Sequence, residues 1–180
     1  GPSGSGKTTM AKFINEGNHA SRVVSTTTRN PRMNEKDGVD YYFLQRGEFE
    51  KKIENGDFVE FAEFNGNYYG ISKENLKNAL FSSDNVKAVA IVEIQGWKSL
   101  NMSSFRDVMY GFFLLRTEDD LVKSLNERSA TSNESPEEIS KRVALIRQEI
   151  GNHKFFYGPA DRVLSGLTLE DMKNLSSDII

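Results

Sequence analysis

The chain has 180 residues, with 23 lysines and arginines against 26 aspartates and glutamates and a net charge of −3. That length predicts one compact domain, and the acidic balance excludes attraction of the whole chain to nucleic acid or to a membrane as its main business. With no cysteine, only His19 and His153 as histidines and no apolar run near about 20 residues, disulfides, thiol catalysis, cysteine zinc sites and a signal peptide are excluded, leaving a soluble, cytoplasmic domain as the expectation.

Gly1-Pro2-Ser3-Gly4-Ser5-Gly6-Lys7-Thr8 fits G-x-x-x-x-G-K-[ST], the phosphate-binding loop. Glycines let successive backbone N–H groups turn inward around phosphate oxygens. Lys7 adds a mobile cation for the β- and γ-phosphates, and the Thr8 hydroxyl can ligate Mg²⁺. Met10, Phe13 and Ile14 supply the apolar stripe of a helix that would point its positive end at the phosphates. The strand that should precede the loop would lie before Gly1, so upstream residues are expected. The competing reading is a flexible Gly/Ser linker, which Gly-Lys-Thr-Thr running into an amphipathic helix opposes. A GTPase reading fails because Asn34-Glu35-Lys36-Asp37 has the guanine-reading residues in the wrong order, and Leu164-Ser165-Gly166 is only a fragment of a transporter-ATPase signature.

Arg22 to Ser25 reads as a short strand leading into Thr26-Thr27-Thr28. Arg29-Asn30-Pro31-Arg32 then sets two guanidiniums on a segment that the proline keeps extended. Such a pair suits a phosphate monoester, since each guanidinium can donate two parallel hydrogen bonds; two solvated surface arginines are the alternative. Asp37-Gly38 predicts a turn before the strand Tyr41-Tyr42-Phe43, and Gly47 to Asn55 a helix with Phe49 and Ile53 inward and Gly56 as its stop. Phe58 to Phe64 alternates with period two, putting Glu60 on a face with Phe58, Ala62 and Phe64, and Asn65-Gly66 returns the chain through Tyr68-Tyr69-Gly70 as a hairpin. A carboxylate at Glu60 can accept from a purine N1–H and amino group; a strand-edge charge reaching water is the plainer reading.

Gly1–Thr9, Ser25-Thr26-Thr27-Thr28-Arg29-Asn30-Pro31-Arg32, Asp37 to Phe43, Phe58-Val59-Glu60 and Gly66-Asn67-Tyr68-Tyr69-Gly70 occur in the order seen in guanylate kinases. The chain resembles that family over nearly its whole length. The resemblance implies an α/β fold of the P-loop NTPase kind: a parallel core sheet flanked by helices (residues 1–25 and 80–180), a small mixed β insertion for GMP (about 26–79) and a mobile lid (about 126–137). It implies an ATP:GMP phosphotransferase working as monomer or homodimer, with ATP and GMP as substrates and Mg²⁺ accompanying ATP. ATP would sit on Gly1, Ser3, Gly4, Ser5, Gly6, Lys7, Thr8 and Thr9. Arg29, Arg32, Tyr41 and Tyr69 would hold the GMP phosphate, and Ser25 and Glu60 would read guanine. Ile71 stands where the family usually has Ser or Thr, which weakens the expected guanine preference unless Ser72 substitutes.

Ser72 predicts a cap on a helix through Leu80, and Lys87 to Glu93 a buried parallel strand ending in an acid. Glu93 matches the second of two family acids and would contact the bound nucleotide or Mg²⁺-bound water; Ile91 replaces the first, and Gln95-Gly96 follows as in the family. Asp107 to Leu115 reads as a strand, Thr117-Glu118-Asp119-Asp120 as a helix start, Arg128 to Asn133 as a loop, and Ser135-Pro136-Glu137-Glu138 as the start of a long helix with Ile139, Val143, Ile146 and Ile150 inward. Arg162 to Ser165 is a last strand and Thr168 to Ile180 a last helix. In the family the lid arginines swing onto the ATP phosphates, and Arg128 and Arg142 match two of them. The position of a third holds Ser124, and Gly166-Leu167 replaces the Asn-Asp usually near adenine. Lys7, Arg32, Arg128 and Arg142 are the expected catalytic residues. The departures at Ile71, Ile91, Ser124 and Gly166 motivate one alternative, a non-catalytic interaction module of the same fold, and Ile71 motivates a second, a nucleoside monophosphate kinase of altered base preference.

Overall fold

The computed structural model describes residues 1–17, 20–81, 87–129, 136–152 and 162–178. His19, His153, the loop expected over 130–133, Ser135 and the last two positions of the final helix lie outside the described residues. In chain order the elements are α1 (Lys7–Glu16), β1 (Ser21–Arg22), β2 (Thr26–Thr27), β3 (Tyr42–Phe43), α2 (Arg46–Glu54), β4 (Phe58–Phe64), β5 (Asn67–Ser72), α3 (Lys73–Phe81), β6 (Ala88–Val89), α4 (Ile94–Asn101), β7 (Phe112–Leu115), α5 (Glu118–Ser129), α6 (Pro136–Asn152), β8 (Arg162–Ser165) and α7 (Leu169–Asp178). The chain divides into two compact units, one of residues 1–7 and 108–172, the other of residues 8–107 and 173–180.

The larger unit carries a four-stranded sheet in the order β3-β2-β5-β4 and a separate parallel pair, β1 with β6. The hairpin forms where Asn65-Gly66 predicts it: both residues have positive φ, 50° and 74°, as a two-residue turn between twisted strands requires. β4 and β5 pair antiparallel with an irregularity between Phe58 and Glu60, and β2 adds antiparallel to β5 and parallel to β3. Helix α2 covers the hairpin through Phe49, which is fully buried and stacks on Phe58 at 4.3 Å and on Tyr68 at 5.2 Å. The Gln45–Glu48 capping box starts that helix. Ser72 Oγ accepts from the Asn75 N–H at 3.0 Å, capping α3 as its position suggests. Val23, Ile71 and Ala79 form a core cluster joined by Leu76, Ala88 and Val92.

The smaller unit pairs β7 with β8 in parallel and packs α5 against α6 through Leu121, Leu125 and Ile146, with Val143 and Ile150 alongside. That is the face predicted for α6. Thr117 caps α5: its Oγ1 accepts from the Asp120 N–H at 3.2 Å.

Three elements differ from expectation. The strand over 87–93 is only Ala88–Val89, because Ile91, Val92 and Glu93 line a pocket instead of continuing the ladder. Residues 107–115 open with a 3₁₀ turn at Arg106–Val108, so the strand begins at Phe112. Helix α5 runs through Arg128 to Ser129, placing Arg128 on a helix; polar composition does not stop a helix that its other face packs in place. No helix among the described residues is long and apolar enough to cross a membrane.

Candidate nucleotide sites

The loop at residues 1–7 belongs to the smaller unit. Gly4 and Gly6 adopt φ of 85° and 97°, a conformation that side chains disfavour, and the Ser5 N–H donates to the Pro2 carbonyl at 3.2 Å. Gly1 is required by close approach: a Cβ there would collide with the Leu114 carbonyl of β7 and lie 2.7 Å from Ser5 Oγ. Ser5 is buried, and its Oγ has no hydrogen-bond partner among the described residues. Lys7, the first residue of α1, donates from Nζ to the carbonyls of Gly1 at 2.5 Å and Pro2 at 2.9 Å, so the ammonium is folded back over its own loop. Ser3 lies in the loop turn; Thr8, exposed, and Thr9, half-buried, occupy the first turn of α1.

In the larger unit one pocket is lined by Ser25, Tyr41, Glu60, Ala62, Tyr69, Gly70, Ile91, Val92 and Glu93. Five of the seven residues expected to hold GMP therefore meet, although they come from four separate stretches of chain. Hydrogen bonds hold the strands in register here: Thr27 Oγ1 donates to the Tyr68 carbonyl at 2.9 Å, and the Tyr68 N–H donates to Thr28 Oγ1 at 2.9 Å.

Glu60 is 6% exposed. Burial pushes its carboxyl up, a backbone hydrogen bond from Ile71 opposes this and the nearby Glu93 charge adds to it, for a pKa of about 7. Gly96 lies directly over this carboxylate, and a Cβ at 96 would collide with Glu60 Oε2. Glycine at 96 thus leaves room for the Glu60 carboxylate where it stands; a larger residue would require that side chain to move. Glu93 sits at the N-cap of α4 but makes no side-chain cap bond, and its side chain lines the pocket. Burial raises the Tyr41 pKa, with Tyr69 adding to it and Arg29 opposing, so the phenol remains a donor. Tyr41 and Tyr69 meet edge-on at 6.1 Å.

Arg29 and Arg32 are not in the pocket lining. Both guanidiniums converge on Glu35 Oε1, at 2.9 and 3.0 Å, and the Arg32 N–H donates to Glu35 Oε2 at 2.8 Å. Burial pushes the Glu35 carboxyl up, but the Arg32 backbone bond and the two cations outweigh it, and its pKa is lowered. The Arg29 guanidinium also lies over the Tyr41 ring at 5.5 Å, which ties the arginine pair to the pocket wall. In the sequence Glu35 is marked only by its place three residues after Arg32 and six after Arg29.

Ile71 has its side chain in the core cluster at 3% exposure, and Ser72 spends its hydroxyl on capping α3, so neither lines the pocket. Ile91 does line it. In the smaller unit Arg128 lies on α5 and half-buried Arg142 on α6. Ser124 lies against the phosphate loop, its Cβ 3.3 Å from where a Cβ on Gly4 would be.

The guanylate kinase family profile matches residues 1–177. The chain belongs to the guanylate kinase family. The guanylate kinase of Fusobacterium nucleatum is 37% identical over 134 residues, covering 74% of this chain and 71% of the relative. That of Enterococcus faecalis is 39% identical over 153 residues, 83% of this chain and 72% of the relative. The Onion yellows phytoplasma guanylate kinase is 33% identical over 188 aligned positions, 98% of this chain and 86% of the relative. Among solved structures, guanylate kinase from Anaplasma phagocytophilum superposes with a TM-score of 0.70 at 26% identity, covering 96% of this chain and 79% of that one. A guanylate kinase fold accounts for both the parallel pairs and the mixed β sheet.

Proposed function

We propose that this chain transfers the γ-phosphoryl group of ATP to GMP, giving ADP and GDP. The observation that carries the reading is the pocket where Ser25, Tyr41, Glu60, Tyr69 and Glu93 converge. It offers carboxyl acceptors suited to the N1–H and amino group of guanine, beside phenol donors suited to a phosphate. Arg29 and Arg32, held together by Glu35, present two cations to the GMP phosphate, with Arg29 reaching the pocket wall through Tyr41. The glycine-rich loop and Lys7 receive the ATP phosphates, and the buried, unpartnered Ser5 hydroxyl is consistent with a loop shaped for an anion. The catalytic work is positioning two anions and neutralising the charge between them, without a covalent intermediate. Lys7, Arg32, Arg128 and Arg142 supply that charge in this reading. The insertion over about 26–79 serves GMP and the lid over about 126–137 carries Arg128, in a cytoplasmic enzyme.

Mg²⁺ fits the donor set. No group of three or more acidic or histidine ligands occurs among the described residues, and an exposed Thr8 hydroxyl is the kind of single protein ligand that suffices for an ion held chiefly by water and substrate phosphates. Bound there, Mg²⁺ would neutralise charge on the β- and γ-oxygens.

A second reading, relaxed base preference, is favoured by Ile91 in the pocket lining, where the family resemblance implies an acid. A coupled assay with ATP-Mg and each of GMP, dGMP, AMP, UMP and CMP tests both. Turnover dominated by GMP and dGMP is the expected result. Dominant turnover on another base supports the second reading, and no turnover on any acceptor refutes the kinase assignment in favour of a binding module.

A further inference from the structure

Arg116 immediately follows β7, at the carboxyl end of a parallel strand, where α/β proteins place their ligands. Two residues earlier the Leu114 carbonyl lies against Gly1, at the root of the phosphate loop. The Arg116 Nη1 donates to Ser124 Oγ at 3.1 Å, and Ser124 in turn touches the loop at Gly4. The guanidinium is thus one hydroxyl group away from the turn that receives phosphates. Its counter-ion is loose: Asp120 Oδ1 stands 3.9 Å from Nη2, while the other oxygen, Oδ2, accepts from the Thr117 hydroxyl at 2.7 Å. At 31% side-chain exposure the guanidinium is neither sealed in the core nor fully solvated. Position 124, where the family resemblance calls for an arginine, brings only a hydroxyl, and the cation beside it comes from 116.

We propose that Arg116 contacts the phosphates of the nucleotide held by the loop, with Ser124 as the hydroxyl on which it rests and from which it reaches, so that a charge lost from α5 is supplied from the end of β7. The proposal rests on reading residues 1–7 as the ATP site. A planar guanidinium suits the task because it donates in pairs to phosphate oxygens and stays charged at any physiological pH.

The test uses the full chain with calorimetric titration of ATP and of inorganic tripolyphosphate, alongside the coupled assay. Arg116→Ala is expected to weaken both ligands by about tenfold or more and to raise KM for ATP, leaving KM for GMP and the melting temperature unchanged. Arg116→Lys should recover part of the loss, and adding Ser124→Arg to Arg116→Ala should recover most of it, because the location of the charge is what matters. Unchanged affinity in Arg116→Ala overturns the proposal. So does a loss for ATP without a loss for tripolyphosphate, which would mean a base contact, and so does a loss that accompanies a lowered melting temperature and resists Ser124→Arg. If the wild type binds both ligands but phosphorylates no GMP, the reaction assignment fails while the Arg116 result stands. If it binds neither, the loop assignment fails first and takes this proposal with it.

Discussion

The phosphate loop surrounds its site with main chain: two glycines at positive φ, a third against the β7 carbonyl, and one lysine folded over the turn. The pocket of the larger unit is made of side chains instead, drawn from positions as far apart as Ser25 and Glu93, with three carboxylates among its lining and support. Main-chain cradles tolerate variation in most of their side chains but none in the glycines. Side-chain pockets tolerate backbone variation but depend on packing that holds each group at its place, and on charges that pull one another's pKa values apart. Glu60 and Glu35 show the second point: a buried carboxyl pushed up by burial, with the Glu93 charge adding to it, and a half-buried one pulled down by the Arg32 backbone hydrogen bond and two guanidiniums.

Breaking the loop should give the largest effect. Lys7→Ala removes the mobile cation and is expected to cost about 10³ in kcat or more, with GMP affinity by calorimetry unchanged; a parallel loss of GMP binding would mean that the two cradles are not separately built. Next comes the titration of Glu60. Its folded pKa of about 7 exceeds the ordinary 4.5, so the folded protein holds a proton that the unfolded chain releases. Its contribution to stability is full below pH 4.5 and declines by up to about 3 kcal/mol as pH rises to 7. Urea melts across that range should show the decline, and Glu60→Gln should remove it. If Glu60 accepts from guanine as a carboxylate, as proposed, GMP affinity should run the opposite way and rise about tenfold from pH 6 to pH 8; a flat profile would sink the assignment of Glu60 to the base.

Gly96→Ala sharpens the same contrast from the backbone side. The added methyl collides with the Glu60 carboxylate and should raise KM for GMP by about tenfold while KM for ATP holds. Gly47→Ala, where a Cβ meets nothing within 4 Å, is the control and should stabilise α2 by about 0.5–1 kcal/mol. The smallest effect is expected from Glu35→Gln, which loosens the arginine pair and should weaken GMP severalfold. Tighter GMP binding in that variant would show Glu35 to be a competitor for the arginines instead of their clamp.

Much of the fold is legible in the sequence because its signals are local. Asn65-Gly66 can turn only one way with low strain, and Phe49 three positions into α2 has the spacing of an inward residue. Ser72 ahead of α3 and Thr117 ahead of α5 offer hydroxyls to N–H groups three residues on. The strand over Lys87 to Glu93 was overread because an apolar run states that residues are buried and not by what; here the later part of the run lines a pocket. Ile71 reads as a hydroxyl lost from the pocket, but its side chain lies in the core and neither it nor Ser72 lines the pocket. The Glu35 clamp, the Gly96 clearance and the Arg116–Ser124 contact carried no pattern that spacing alone could separate from surface charge, an ordinary turn and a strand end.

The sequence by itself determined the phosphate loop pattern, the helix starts, the hairpin turn and the kind of chemistry, since each depends on residues within a turn or two of one another, where sterics and capping decide conformation. Only the tertiary structure decided which carboxyl has its pKa raised and which lowered, which arginines are already engaged and which glycine lies over Glu60. Those properties depend on strand register and burial, which bring together residues from Ser25 to Gly96 that are distant in the chain and give each an electrostatic surrounding no local pattern encodes.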